Sequence, residues 1–381
     1  MMFKRIGILG GGQLGRMLQE VAQRWNMPVY CMDSSEDAPA TLFNGFYTQG
    51  DIRNYEDVMA FAQDKDVITI EIEHVNLQAL NELQALGKEI HPNPNALEII
   101  KNKNTQKEFY KKLSIPVPEF TTFENKTQAL EVFATWKGKI PCIYKSAEMG
   151  YDGKGVRTIH SMDDVHELDD IAGAFEDKID IGIEVAVMLA ANPDGQLAVY
   201  SPVAMHFDHD NHILSEVHYP YELPEAQVYE MNSIAKKIML ELKLCGICAF
   251  EFFITNDGKV FLNEIAPRPH NSMHLSIDNA VCSQFEMHLR AISNLPLGST
   301  KIISPGIMYN VIGEEDDKGN ADFDGWHQTL NEAGVYVHLY GKTTIKPARK
   351  MGHINIVGDD VKLLKDKLEI VKSNFKNIKN G

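Results

Sequence analysis

The chain has 381 residues, of which 44% are hydrophobic and 24% charged, and its formal net charge is −16. That length exceeds one ordinary core and fits two or three globular domains. The acidity disfavours a general nucleic-acid binder, which needs a basic face for phosphates, yet a small anionic substrate needs only a local basic pocket.

No apolar run approaches the roughly 18 residues of a membrane span. Met1–Arg5 leads straight into a strand pattern, without a signal-peptide layout, so a cytoplasmic location with no membrane partner is the expectation. The five cysteines are sparse and odd in number, as in a reducing compartment. Cys245 and Cys248 form a C-x-x-C pair without two further ligands at zinc spacing, and read as buried thiols beside a strand.

In chain order, residues 5–9 read as a buried strand, followed by Gly10-Gly11-Gly12-Gln13-Leu14-Gly15 and a helix to about Arg24. Val29–Met32 is a second strand, ending at Asp33, and Val67–Ile72 another, ending near Glu71 and Glu73. Strands alternating with helices predict a doubly wound parallel sheet for the first ~95 residues. His91-Pro92-Asn93-Pro94 punctuates the chain, one charged helix spans about Ala96–Leu113, and Ile115-Pro116-Val117-Pro118 ends it. Beyond this the pattern is α+β. Strands are expected at 139–145, 154–159, 183–191 and 196–207, with helices at 127–136 and 162–173. A helix at 225–242 precedes a hairpin at 247–265, and residues 306–357 are strand-rich, with basic positions at Lys342, Lys346, Arg349 and Lys350.

Gly10, Gly12 and Gly15 satisfy G-x-G-x-x-G between a strand and a helix, with Asp33 where a ribose-binding acid sits in a dinucleotide site. Taken alone, this segment fits an NAD enzyme. It equally fits a tight strand-to-helix turn that needs glycine for its backbone.

The most informative stretch runs from Phe250 to Glu264. Asp257-Gly258 between apolar runs is a two-residue hairpin signal, and continuing that register sets Glu251 opposite Glu264. Opposed residues have Cβ atoms about 5 Å apart, where two carboxylates repel by roughly 3 kcal/mol at an effective dielectric near 20. A divalent cation removes that repulsion, and oxygen-only ligands suit Mg²⁺ shared with substrate phosphates. Asn263 adds a further oxygen if the strand end turns it inward.

Lys145–Gly155 holds three glycines and Lys154 between two strands, a pattern for a flap whose N–H groups cover phosphates, though it lacks the Ser or Thr of a Walker A loop. Pro267 and Pro269 fix a rigid exit from the strand, presenting Arg268, His270 and Asn271 beside the carboxylate pair. Arginine there suits a carboxylate or phosphate. His270 and His274, four apart, have no evident third zinc ligand.

Together, Gly12-Gln13-Leu14-Gly15-Arg16-Met17, Gly150-Tyr151-Asp152-Gly153-Lys154-Gly155, Asn263 through Ser272 and Arg349 through Asn355 resemble the ATP-grasp superfamily, and closely its 5-(carboxyamino)imidazole ribonucleotide synthase branch of purine biosynthesis. The resemblance implies an ATP-grasp fold with an N-terminal doubly wound domain (1–95), a linker helix (96–118), a lid domain (119–178) and a C-terminal antiparallel-sheet domain (179–381). It implies ATP and Mg²⁺ as cofactors, 5-aminoimidazole ribonucleotide and bicarbonate as substrates, and a homodimer.

By position, Lys107 and Lys145 correspond to lysines at ATP, Glu176 to the hinge acid and Glu184 to the ribose-binding acid. Glu251 and Glu264 correspond to the magnesium ligands. Gly150, Tyr151, Asp152, Gly153, Lys154 and Gly155 form the closing loop, while Asn263 adds a nucleotide-side contact. The resemblance further implies that Gly12, Gln13, Leu14 and Glu73 meet the ribonucleotide, with Lys342, Arg349 and Lys350 around its phosphate, and that Arg268, His270 and Asn271 lie near the bicarbonate-derived group. Asn102-Lys103 replaces the family's usual Asp-Arg, and Met149 its usual glycine. Three alternatives stay open: a relative using another acid, such as formate-dependent glycinamide ribonucleotide transformylase, an NAD-dependent dehydrogenase, and a catalytically silent module that binds nucleotide without turnover.

Overall fold

The computed structural model describes residues 3–148, 155–208 and 213–378. Five parallel strands open the chain: Ile6–Leu9, Val29–Asp33, Tyr47–Gln49, Val67–Ile70 and Glu89–His91. The first strand lies between the second and the fourth. Burial on both faces makes Ile6–Leu9 and Val67–Ile70 continuously apolar apart from Gly7 and Thr69. The helix Gln13–Arg24 packs Leu14, Met17, Leu18 and Val21 onto this sheet.

The single helix expected over 96–113 is two, Pro94–Lys101 and Lys103–Lys112. Asn102 leaves helical geometry, and its side chain caps the second helix by accepting from the N–H groups of Asn104 and Thr105. Asparagine competes in this way with the helix ladder, which is why it breaks one helix and starts another.

A four-stranded antiparallel sheet follows, built from Phe120–Phe123, Cys142–Ser146, Val156–Ile159 and Gly173–Asp177. Its aromatic core joins Phe123, Tyr144 and Phe175. The helix expected at 162–173 stops at His166, and the strand Gly173–Asp177 takes its place in the sheet.

The rest is organised on one nine-stranded sheet reaching from the hairpin Gly246–Thr255/Val260–Ala266 through Ile181–Ala191, Val203–Phe207, Leu214–Tyr219 and Gly306–Ile312 to Lys350–Val357 and Val335–Leu339, with Leu197–Val199 on Ile181–Ala191. The strand-rich end therefore extends the same sheet that carries the carboxylates. The helix Gln284–Ile292 fixes the N-terminal domain to it. Phe285, Leu289 and Ile292 enter the core of Ile8, Leu14 and Leu18, while Met287 enters that of the large sheet. His288 ties the same parts together, bonded to Thr69 Oγ1 at 3.0 Å and accepting from the Ile247 N–H at 3.1 Å. Among the described residues, all five cysteines are free, and no helix is long and apolar enough to cross a membrane.

Candidate active site

The hairpin pairs Glu251 with Glu264, but not through a two-residue turn. Three residues, Asn256–Gly258, make the turn, with Gly258 left-handed at φ +84° and Thr255 N–H donating to Lys259 O at 3.0 Å. This shifts the pairing by one, so Phe252 meets Leu262. A bulge at Asn263 then restores the register at Glu251–Glu264. The two departures cancel. The bulge also turns Asn263 and Glu264 to the same side, where both line the cleft.

That cleft has a volume of about 730 Å³ between the four-stranded lid, the large sheet and the N-terminal domain. Its floor carries Glu184, Glu251 and Phe253, on neighbouring strands where Glu184 pairs with Phe253 and Ala186 with Glu251. Burial, and then the negative charges of Glu264 and Glu184, push the Glu251 carboxyl up to about 8. Burial likewise raises Glu184 to about 7, against the pull of Lys145. Glu184, Glu251 and Glu264 all line the cleft, and among the described residues no group of three His, Cys, Asp or Glu side chains is arranged to hold a metal ion by itself.

The lid supplies the positive charge. Lys145 donates to Asn263 Oδ1 at 3.0 Å and lies 3.3 Å from Glu176 Oε2, linking lid to floor. Lys107 is buried, 2.7 Å from Glu176 Oε1, and Glu176 rather than Lys107 lines the cleft. Burial alone would raise Glu176, but Lys145 and Lys107 outweigh it and hold the carboxyl below its usual range. Lys103, at the start of the same helix, lies 3.8 Å from Glu264 Oε2. The i, i+4 spacing puts Lys103 and Lys107 on one face once the helix restarts at Asn102.

On the N-terminal wall, Gln13, Leu14, Glu71 and Glu73 line the cleft. The glycine turn encloses a carboxylate. Gly15 N–H donates to Glu71 Oε2 at 2.5 Å, and a Cβ on Gly12 would stand 2.1 Å from Glu71 Oε1. Burial pushes Glu71 up to about 7 even with that hydrogen bond. Asp33 is occupied as well, accepting from the N–H groups of Gly11 and Ser35. The positions that would hold a pyrophosphate and a ribose are thus taken by the protein's own carboxylates, and the dinucleotide expectation is corrected. Gly12 is half-exposed beside this contact and is not among the residues that line the cleft.

Arg268 is gripped by Glu73, with Nε 2.8 Å from Oε1 and NH2 3.2 Å from Oε2. His270 lines the cleft with Nε2 3.7 Å from Glu251 Oε1, and burial together with Arg268 and Lys350 holds its ring well below the usual imidazole value. Asn271 exchanges amide bonds with Asn310 at 3.0 and 2.6 Å. His274 is buried against His353 and Gln284, so it does not join His270 as a zinc pair.

Of the basic cluster, Lys350 reaches the cleft wall. Lys342 Nζ donates to Lys350 O at 2.6 Å, and Arg349 NH1 donates to Thr344 O and Oγ1 at 2.7 Å, so neither forms part of that wall here. Gly155, with φ +73°, closes the flap stem through its carbonyl, which accepts from the Ser146 N–H. Gly150, Tyr151, Asp152, Gly153 and Lys154 lie outside the described residues.

Residue-type reasoning passed over Glu71, Phe253 and Lys103 as cleft residues. Phe253 was legible by period two from Glu251, and Lys103 by its spacing from Lys107. Glu71 carried no local signal beyond its place at a strand end.

A lid with a paired lysine over an acidic floor, beside a doubly wound domain, defines an ATP-grasp ligase. The chain matches the ATP-grasp domain over residues 108–285, the ribonucleotide synthetase preATP-grasp domain over 2–101 and the phosphoribosylaminoimidazole carboxylase C-terminal domain over 306–367. Phosphoribosylaminoimidazole carboxylase of Ogataea methanolica is 36% identical over 98% of this chain and 70% of its own length. The chain spans about two thirds of such relatives, 66% for that of Candida glabrata. N5-carboxyaminoimidazole ribonucleotide synthase of Synechococcus elongatus is 34% identical, over 93% of this chain and 89% of its own. Among solved structures, the Thermotoga maritima synthetase superposes with a TM-score of 0.88 at 35% identity, covering 98% of this chain and 99% of that one. The Aspergillus clavatus enzyme in complex with ADP and 5-aminoimidazole ribonucleotide gives 0.86 at 31%, covering 97% and 99%. The chain belongs to the N5-carboxyaminoimidazole ribonucleotide synthase family.

Proposed function

We propose that the chain carboxylates the exocyclic amine of 5-aminoimidazole ribonucleotide, using ATP and bicarbonate, to give N5-carboxyaminoimidazole ribonucleotide, ADP and phosphate. The observation that carries this reading is the cleft itself. It joins an acidic floor with a lysine-bearing lid on one side to the N-terminal glycine turn on the other, so an ATP site and a second substrate's site share one cavity. The complex of the Aspergillus relative with ADP and the ribonucleotide supports the same pairing of ligands.

The acids fit Mg²⁺: Glu251 and Glu264 would hold it with substrate phosphates, and the bound ion supplies neutralisation of the charge gathered on the transferring phosphoryl group. Lys145, fixed by Asn263 and Glu176, places a further positive charge from the lid. Phosphoryl transfer to bicarbonate yields carboxyphosphate, and such transfer depends on positioning and electrostatics more than on covalent help from the protein. The ribonucleotide amine then captures the carboxyl group as phosphate leaves. Arg268, locked by Glu73, and neutral His270 stand between the two halves of the cleft, where they orient the carboxyl group. Residues 149–155 are assigned to excluding water from that short-lived intermediate. Lys350, with Lys342 and Arg349 on the adjoining segment, is assigned to the substrate phosphate, and a homodimer is the expected assembly.

A coupled ADP-release assay with each substrate omitted in turn tests the proposal. ADP release should require both bicarbonate and 5-aminoimidazole ribonucleotide. Activity with formate and glycinamide ribonucleotide in their place would transfer the assignment to the formate-using relative.

A further inference from the structure

The backbone leading into His270 makes few hydrogen bonds of its own. Pro267 and Pro269 have no N–H to donate, Arg268 N–H donates to Ala266 O, and the first helical bond after the loop is Met273 N–H to His270 O. The His270 N–H has one partner among the described residues, the side chain of Gln284 fourteen positions later.

Gln284 is fully buried and uses its amide on three atoms. Its Oε1 accepts from the His270 N–H at 2.8 Å. Its Nε2 donates to His270 O at 2.9 Å and to His274 Nδ1 at 2.8 Å. One acceptor and two donors on a planar group is what a primary amide offers. Glutamate lacks the donors, and asparagine is one methylene shorter. Gln284 is itself held, its N–H donating to Ser276 Oγ at 3.0 Å. It begins the helix Gln284–Ile292, whose Phe285, Leu289 and Ile292 sit in the N-terminal core with Leu14. One end of this helix therefore grips the backbone of His270, and its length rests on the wall that carries Gln13 and Leu14. On the ring, Nδ1 is bonded to Ser272 Oγ at 2.9 Å and also takes the Ser272 N–H, leaving Nε2 directed at Glu251.

We propose that Gln284 is a positioning residue for the carboxylation: its buried amide clamps the backbone of His270 and so sets the imidazole against the carboxyl-binding part of the cleft, in register with the ribonucleotide wall. This rests on the function proposed above, with His270 on the bicarbonate side.

The test uses Gln284→Glu and Gln284→Met in the full-length enzyme, with KM for bicarbonate and for ATP, kcat, and thermal midpoint measured for each. Loss of one or two hydrogen bonds corresponds to about tenfold in KM for bicarbonate. KM for ATP should move less than KM for bicarbonate, since the lid lysine Lys145 is held by Asn263 and Glu176, although His270 also touches Glu251. In a His270→Ala background, Gln284→Met should add nothing further to the bicarbonate KM. Gln284→Glu keeps the side-chain volume, so it decides the matter if Gln284→Met fails to fold. Folded variants with an unchanged bicarbonate KM, or a defect that adds in full to that of His270→Ala, would overturn the proposal while leaving the function standing. A wild-type enzyme without bicarbonate dependence would overturn the function and this role with it.

Discussion

Glu251→Gln should make the metal-free protein more stable while abolishing its turnover. Glu251 and Glu264 are paired across the hairpin, so their Cβ atoms lie roughly 5 Å apart, and two charges at that separation repel by about 3 kcal/mol at an effective dielectric of 20. The titration, raised first by burial and then by the charges of Glu264 and Glu184, gives a total destabilisation of the same order. A carboxyl raised from the ordinary 4.5 to about 8 contributes its full stability below 4.5 and loses it as pH climbs toward 8. By pH 7 the loss amounts to about 3 kcal/mol. Glutamine removes both the charge and the titration. Calorimetry in EDTA should therefore show the variant melting on the order of 5 °C above wild type at pH 8. The two should converge near pH 4.5, where wild-type Glu251 is protonated as well. Adding Mg²⁺ with ADP should stabilise wild type and leave the variant nearly unmoved, by mass action on a site it has lost. A variant that melts at or below wild type in EDTA at pH 8 would refute the reasoning, because the carboxylate pair would then cost nothing.

Glu264→Gln should abolish ADP release with the circular dichroism spectrum preserved and a thermal midpoint in EDTA at or above wild type, since it relieves the same repulsion, and retained activity would remove the two-carboxylate metal site. Lys145→Met should weaken ADP binding by about tenfold in titration calorimetry, since it removes a charge-assisted contact and unpins Asn263. Gly12→Ala should cost about 1–3 kcal/mol in denaturant unfolding, because the new Cβ meets Glu71 Oε1 at 2.1 Å. Adding Glu71→Ala should recover much of that loss. Glu216, held down to about 2 despite burial by His218 and Lys372, carries stability that is present above the ordinary 4.5 and lost as pH falls toward 2. Lys372→Met should therefore lower stability by about 1 kcal/mol at neutral pH, with the difference vanishing in acid.

The N-terminal sheet was legible because its strands are buried on both faces and read as apolar runs between helical periods. The Glu251–Glu264 pairing was legible too, though by compensation. The turn took three residues because Gly258 accepts a left-handed conformation, and the bulge at Asn263 returned the lost residue. A bulge has no local sequence signature, since it depends on what the partner strand presents. The break at Asn102 was readable in principle, because asparagine caps helices, but the flanking helical pattern concealed it. The strand Gly173–Asp177 was hidden because Glu176 is charged and yet buried, which only Lys107 and Lys145 from distant segments permit. Glu71 beneath the glycine turn was hidden for the same reason. The motif specifies a cradle for an anion, and the chain supplies the anion 56 residues from Gly15.

The most direct measurement follows the new bond itself. Wild-type enzyme would be incubated with ATP, Mg²⁺, ¹³C-bicarbonate and 5-aminoimidazole ribonucleotide carrying ¹⁵N at its exocyclic amine, and the product examined by ¹³C NMR. The predicted result is a carboxyl carbon split by coupling to nitrogen, formed one for one with ADP. ADP formation without that coupling, or a label attached to the imidazole ring carbon, would contradict the account.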